Sequence, residues 1–402
     1  MTNSKRTDSQ PMQPARIRCY HFNKVFKMAF HSPQARRFQA DSVIVRIDDG
    51  HEASGFGESA PRPYVTGESV ASVVSLIVDR FAPILFAQPL ASLNSIQAVL
   101  EHLASACRQA GVTAFNSALG AIDLALLDLL ERAQRLAPNQ IFPTMHRDSL
   151  RFSVSVPFLP LDVIKAHFPR FRDQMDIAVL KILVSENATE TYERVKLIRR
   201  LAGADSELRL EFNGKMDLPR VRDTLARLIP FRIRAVEQPL PKDRLDDLHQ
   251  LAAQFNVDFV ADESLVTVGD AEQLVQNGAY RIFNIKVSKC GGLLRSQRIA
   301  QLAAQHGIPC QIGTHVGESE ILGLAGRRLA RSLPNFDCYG GGSEVLFSRL
   351  FELAPQNTTA IWPPVDKAPL GPEALRELVS EDRLLADACP TATRWMPFVD
   401  VG

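Results

Sequence analysis

The sequence predicts a parallel α/β barrel covered by a separate α+β domain, and three observations carry that expectation. From about residue 150 onward, short apolar runs alternate with amphipathic helical segments, and there are eight such runs. Four charged residues fall at the ends of successive runs, at nearly constant intervals. Ahead of the runs lies a stretch of different rhythm, strands first and helices after. The chain has 402 residues, 46% of them hydrophobic, enough for a large core and more than one domain.

The start, MTNSKRTDSQPMQPAR, is polar and lacks the apolar centre of a signal peptide, so residues 1–15 are expected to be a disordered tail. Residues 15–61 read as a β-meander of about three strands. ARIRCYHFNKVFK alternates in part, DSVIVRIDDG alternates and ends in an Asp-Gly turn, and EASGFGESAP follows directly. From about 67 to 136 the pattern is helical. TAFNSALGAIDLALLDLLERAQRL has apolar residues at helical spacing, with Thr113 as its expected N-cap. LAPNQIFPTMHRDS, polar and proline-containing, marks a boundary near 145. That divides a capping domain, 16–145, from a barrel, 146–355.

The eight runs are 151–158, 177–184, 208–213, 233–239, 258–264, 281–288, 309–314 and 335–341. Segments such as ATETYERVKLIRRLAG and LLRSQRIAQLAAQHG are long enough to be crossover helices between parallel strands. With only seven true strands the sheet would stay incomplete or open. The remainder, 356–402, contains IWPPVDKAPLGPEAL; it has too many prolines for more barrel and is expected to return to the capping domain.

Charge and cysteine content narrow the partners. The 46 basic and 45 acidic residues nearly cancel, which gives no support for nucleic acid or a membrane surface. Six scattered cysteines without a CxxC fit neither a disulfide framework nor a thiolate metal site, and suit a reducing cytoplasm. No apolar run reaches the ~18 residues of a membrane span.

A strand of a parallel barrel is buried on both faces, so charges within it are unusual. Here Glu211 is followed after 26 residues by Glu237, after 25 more by Asp262 and after 24 more by Lys286. One βα unit has roughly that length, which places the four at the C-terminal ends of strands three to six, the mouth where barrel enzymes keep their active sites. Three converging carboxylates need a counter-charge. A hard divalent cation supplies one, Mg²⁺ with Mn²⁺ as the alternative, and the lack of histidine among the three argues against zinc. Beside such a cation Lys286 is expected to have a lowered pKa and to act as a general base. Any one of these acids alone would read as a helix cap or an ion-pair partner.

VEQPL, ADESL and NIKVSKCGG together resemble the enolase superfamily, and its mandelate racemase/muconate lactonizing enzyme branch in particular. GFGESAPRPYVTGES is similar to the capping domain of that branch, dipeptide epimerases included. The resemblance implies an α+β cap built from N- and C-terminal segments over a modified (β/α)8 barrel. It implies abstraction of the proton α to a carboxylate, giving an enediolate held by Mg²⁺, with a small-molecule carboxylate as substrate and a homo-oligomeric state. It maps Glu211, Glu237 and Asp262 onto the metal ligands and Lys286 onto the base of the sixth strand.

Two departures stand out. The first ligand position, normally Asp in a DxN pattern, reads EFN here, with Asn213 at its usual offset. The second strand normally carries Lys-x-Lys, whose second lysine works opposite the sixth-strand lysine. Here the three residues are Lys181, Ile182 and Leu183. Strand residues two apart share a face, so Leu183 takes a position where a proton carrier would stand. Lys181 is retained, as a contact for the substrate carboxylate or a charge stabiliser. Lys215 and His315 are the candidate replacements, Glu318 is a candidate partner of His315 or of substrate, and Arg36, Arg37, Arg62 and Tyr64 are candidate contacts for a second anionic group. Arg62 and Tyr64 would otherwise hold their loop together. Gly291 and Gly292 read as turn formers, and CYGGGSE after the eighth strand as a carboxylate cradle. The loss at position 183 favours one-base chemistry, a lyase (dehydratase) or cycloisomerase. A racemase or epimerase with another donor is the alternative, and a barrel that only binds ligand is the other.

Overall fold

A computed structural model describes residues 11–31, 36–134, 144–156, 158–174, 179–340 and 379–396. The chain opens with strands β1 (Arg16–Phe22), β2 (Val25–His31), β3 (Arg36–Gln39), β4 (Ser42–Asp48) and β5 (Ser54–Ser59). β1 and β4 pair antiparallel with Ile17 opposite Ile47 and Cys19 opposite Val45, so the alternating apolar residues of both fall on one buried face. The three strands of the expected meander are therefore present as β1, β4 and β5. The hairpin of β2 and β3, a separate two-stranded sheet, is an addition to it.

The C-terminal segment completes this domain. β14 (Leu384–Cys389) pairs with the free edge of β1 and β15 (Ala392–Trp395) with β14, giving the sheet order β15-β14-β1-β4-β5. The proline-rich stretch IWPPVDKAPLGPEAL lies outside the described residues. One expectation is corrected here: the tail does not extend to residue 15. Met12 is fully buried and exchanges backbone hydrogen bonds with Leu90, and Ala15 donates to Asp48. Residues 1–10 lie outside the described set.

The helix Asn116–Ala133 lies on β5. The closeness of that packing explains the GFG spelling. A Cβ at Gly57 would sit 1.9 Å from the Ala121 carbonyl oxygen, and one at Gly55 2.1 Å from that of Ala125. Thr113 does not cap this helix, which starts three residues later with no side-chain cap of its own. Glu68, buried just ahead of the helix that begins at Val70, accepts from the amides of Ser117 at 2.8 Å and Ala118 at 2.9 Å. A carboxylate from a distant position does the work expected of a local hydroxyl.

All eight apolar runs are strands: β6 (Ser153–Val156), β7 (Val179–Leu183), β8 (Glu207–Glu211), β9 (Ile233–Glu237), β10 (Asp258–Ala261), β11 (Ile282–Ile285), β12 (Cys310–Gly313) and β13 (Phe336–Gly340). They lie side by side in sequence order, all parallel. A bridge between Phe152 and Tyr339 joins the two edges, with the rings edge to face at 5.7 Å. Ionic contacts support this closure at the strand starts. Arg209, 1% exposed, lies 2.6 Å from both Glu207 and Asp337, and Arg151 reaches Glu207 at 2.7 Å.

Cap and barrel are joined through carboxylates aimed at helix N-termini. Asp123 of the cap accepts from the amides of Leu293 and Leu294, which open the helix Leu293–Gln305. Gly292, at φ +106°, makes room: a Cβ there would come within 2.4 Å of the Asp123 carboxylate. Glu58 accepts from the Ser319 amide at 2.8 Å, its hydroxyl at 2.6 Å and the Leu322 amide at 3.2 Å, at the start of the helix Glu320–Ser332. The exposed amides and the helix dipole favour a negative charge at each place, while burial opposes it.

Burial pushes the Asp123 carboxyl up to about 7. A folded-state value above the unfolded one contributes stability that is complete below the unfolded pKa, near 4, and is lost as pH rises through about 7. Asp123→Asn retains an acceptor without the titration. Its stability relative to the native chain should therefore rise by on the order of 2 kcal/mol between pH 5 and pH 8, read from denaturant melts at both values. An unchanged difference between the two pH values would show that Asp123 does not titrate there.

Candidate active site

The barrel mouth gathers the acids that the sequence spacing brought into phase. β8 ends in Glu211, β9 ends in Glu237 directly opposite it, and Asp262 follows β10. All three are buried, and one oxygen from each lies within 4.8 Å of the others. Two sharp backbone turns set their directions. Asn213, at φ +53°, donates from its backbone and its side-chain amide to Glu211 Oε1, both at 3.1 Å. Gln238, at φ +37°, accepts with its side-chain oxygen from the amides of Asp262 and Ser264 at 3.0 Å, which ties the end of β9 to that of β10.

Each carboxylate is met by a lysine. Lys181 Nζ donates to Glu211 Oε2 at 2.8 Å and to Glu237 Oε1 at 2.9 Å. Lys286 Nζ donates to Asp262 Oδ2 at 2.5 Å, and Lys289 Nζ, fully buried, to Asp262 Oδ1 at 2.6 Å. The counter-charge that the sequence reading sought for the acids is thus supplied in part by three ammonium groups of the protein itself. The lowered pKa expected of Lys286 concerns the amine beside a bound cation; among the protein's own groups the balance runs the other way. Burial is the strongest single influence and pulls that amine down, but Asp262, Glu263 and Glu237 together raise it. Lys181 is likewise lowered by burial and raised further by Glu211 and Glu237. Burial opposes ionisation of Asp262, yet Lys286 and Lys289 hold it well below the usual carboxylate range. Between the two glutamates, burial and the charge of Glu237 push Glu211 up. Glu237, against its own burial, is held down by Lys181.

An oxygen-only donor set of three carboxylates this close fits a hard divalent cation. Glu211, Glu237 and Asp262 would hold it, with Lys181 and Lys286 at its border. The extra methylene of Glu211 still delivers its carboxylate to the cluster.

Leu183 ends β7 on the inward face of Lys181, buried at 3% exposure. His315, in the loop after β12, is also buried. Burial, with Lys286 and Arg62 nearby, pushes its pKa well below the usual imidazole range and keeps the ring neutral. Glu318 accepts from the His315 backbone amide at 2.6 Å, and its carboxyl lies 3.9 Å from Nδ1. Burial pushes Glu318 up to about 8.

Arg62 is corrected as an anion contact. It is 1% exposed, and its terminal nitrogens donate to the carbonyls of Asp41 (3.1 Å), Pro61 (2.5 Å) and Val316 (2.6 Å). It straps the cap loop to the loop bearing His315. Tyr64 is 40% exposed, with the Arg37 guanidinium 5.9 Å over its ring, so this pair stays on the rim. The Arg36 side chain lies outside the described residues, as does CYGGGSE beyond Gly340. Lys215 is exposed on the turn after β8 and does not join the carboxylates. Gly291 and Gly292, both at positive φ, shape the turn into the next helix.

Four participants escaped the sequence reading: Lys289, Asn284, Gln311 and Gln238. Asn284 donates to Glu237 Oε1 at 2.7 Å and Gln311 to Glu237 Oε2 at 3.1 Å. Both are polar residues inside otherwise apolar strands, as Lys181 is in β7.

A capped parallel barrel with an acidic cluster at its C-terminal mouth is the architecture of an enzyme that works on small molecules with a metal's help. The mandelate racemase/muconate lactonizing enzyme N-terminal domain matches residues 15–141, and the enolase C-terminal domain-like family matches residues 164–355. The chain is 30% identical over 302 residues to the hydrophobic dipeptide epimerase of Enterococcus faecalis, covering 74% of this chain and 80% of that one. It is 25% identical over 321 residues to muconate cycloisomerase 1 of Rhodococcus opacus, covering 77% and 80%. The crystal structure of the Enterococcus faecalis dipeptide epimerase, complexed with Mg and the dipeptide L-Leu-L-Tyr, matches with a TM-score of 0.74 at 26% identity, over 83% of this chain and 91% of that one. The chain belongs to the enolase superfamily, in its mandelate racemase/muconate lactonizing enzyme branch. Among the described residues no helix is long and apolar enough to cross a membrane.

Lys289→Met should strand Asp262 beside a single lysine. Breaking a buried pair on one side costs about 3–5 kcal/mol, so a fall of that size in unfolding free energy is expected. A loss below about 1 kcal/mol would mean that Lys286 alone satisfies Asp262.

Proposed function

We propose that this protein is a Mg²⁺-dependent isomerase that removes the proton α to a carboxylate, with Lys286 as its one lysine base. The observation that carries the reading is the convergence of Glu211, Glu237 and Asp262 with Lys286 beside them and an apolar Leu183 where a second lysine would face it. A divalent cation held by the three acids would act as a Lewis acid, drawing charge from the substrate carboxylate as the proton leaves. A dipositive ion added to a cluster balanced by three lysines leaves positive charge to be matched, which favours an anionic substrate.

Lys286 must give up its proton to act as a base. Its contact with Asp262 now holds that proton, so engagement of Asp262 by a cation is what would free the amine. Lys181 would then be left to meet the substrate carboxylate. With one proton carrier on one face, the lysines favour a reaction that takes and returns a proton on the same side: a cycloisomerisation, or a syn elimination if a leaving group is present.

The second reading is an epimerase, and His315 favours it. It is a buried, neutral imidazole in the loop after β12, near Lys286, and a neutral ring can accept a proton. The dipeptide epimerases among the relatives point the same way.

Incubation in D₂O with Mg²⁺ and a panel of N-acylamino acids, dipeptides and sugar acids separates these readings. The first expects α-proton exchange with retained configuration, lost by about 10²–10⁴-fold in Lys286→Ala. Inversion that disappears in His315→Asn would establish the second. Failure of the protein to bind Mg²⁺ or Mn²⁺ in a calorimetric titration would sink both and leave a ligand-binding barrel.

A further inference from the structure

Glu237 turns its second oxygen toward the barrel interior, where it meets an amide whose direction is set from below. Gln311 on β12, 1% exposed, donates from Nε2 to Glu237 Oε2 at 3.1 Å. Its Oε1 accepts from Arg209 Nη1 at 3.0 Å, and the Cys338 thiol lies 3.6 Å from the same oxygen. Arg209 is anchored in turn by Glu207 and Asp337, each at 2.6 Å.

A carboxamide has one donor end and one acceptor end of nearly equal shape, so packing alone does not choose between its two orientations. A guanidinium has donors and no acceptor. With Arg209 on one side, the oxygen of Gln311 must face it and the NH₂ must face Glu237. The reversed amide would set oxygen against carboxylate at one end and NH₂ against guanidinium at the other.

We propose that Arg209 is a positioning residue for the divalent-cation site: through the amide of Gln311 it fixes the orientation of the Glu237 carboxylate, although Arg209 forms its own ion pairs with Glu207 and Asp337 and not with the three acids of the mouth. The proposal rests on the reading that Glu211, Glu237 and Asp262 hold a divalent cation. It adds that their affinity for the cation is set in part by a charge one layer deeper in the barrel.

The test is Mn²⁺ affinity, measured by electron paramagnetic resonance of free ion, for the native protein, Arg209→Met, Gln311→Leu and the double variant, with a thermal melt of each. Removing a partner that orients a metal ligand lowers affinity roughly 10–100-fold. Each single variant should fall in that range, the double variant should be no weaker than the weaker single, and Arg209→Lys should recover part of the loss. If Arg209→Met alone does not fold, the variant that also carries Glu207→Gln and Asp337→Asn strands no buried carboxylate and replaces it, with the same outcomes. Native Mn²⁺ affinity in Arg209→Met with only its melting temperature lowered would make Arg209 a strut of the barrel and overturn the proposal. Additive losses in the double variant would also overturn it, because the two residues would then act separately. No Mn²⁺ binding by the native protein would instead overturn the site reading itself, and is told apart from the other outcomes by the first titration.

Discussion

The arrangement on which the rest depends is the neutralisation of three buried carboxylates at one end of the barrel. Glu211, Glu237 and Asp262 stand where water is scarce, and an isolated buried carboxylate there would protonate before it stayed charged. Lys181, Lys286 and Lys289 supply the matching charges, and Asn213, Asn284 and Gln311 take up further oxygen lone pairs. Such a network is costly when incomplete and rigid when complete. Its rigidity gives the mouth a defined shape before any ligand arrives. The eight strands hold its members at a spacing that loops alone would not keep.

The same device recurs where the cap meets the barrel. Asp123 and Glu58 each leave the capping domain and end at the first amides of a barrel helix, and Glu68 does so within the cap. Helix N-termini present several unsatisfied donors that burial would make expensive. A carboxylate from the other domain satisfies them and fixes the relative position of the two bodies. Arg62 does the complementary work at the loop that carries His315, with donors spent on three carbonyls. The groups that resemble anion-binding equipment in the sequence are thus partly fasteners, and their burial separates the two uses.

Much of the fold was legible in the sequence because two periodicities carry it. Alternation marks β1, β4 and β5, and the recurrence of apolar run and helix marks all eight barrel strands. The convergence of the three acids was legible because an acid inside a doubly buried strand has few explanations, and three in phase have fewer. What escaped depends on contacts far apart in sequence. Thr113 looked like the N-cap because local spacing favours a hydroxyl there, but Glu68 occupies the helix N-terminus from 49 positions away. Lys289 carried no reading of its own in the motif NIKVSKCGG, and its burial on Asp262 follows only from how the turn at Gly291 and Gly292 folds back. The Lys286 contact with Asp262, which together with Glu263 and Glu237 raises the amine against its burial, likewise depends on how neighbouring strands meet and was not legible from spacing.

Position 183 bears on the reaction more than any other. On the inner face of β7, Lys181 and Leu183 occupy neighbouring places, one bridging two carboxylates and the other apolar and buried. A lysine at 183 would add a fourth positive charge to a cluster in which three lysines already answer three acids. Leucine instead keeps that charge count even and leaves an apolar wall opposite Lys286. An apolar wall can shed water from a reacting carbon but cannot return a proton to it. On the epimerase reading, inversion of configuration would therefore need a second proton carrier from the loops, and His315, held neutral by burial beside the strap of Arg62, has the chemistry to take a proton on one face while the Lys286 ammonium returns one on the other.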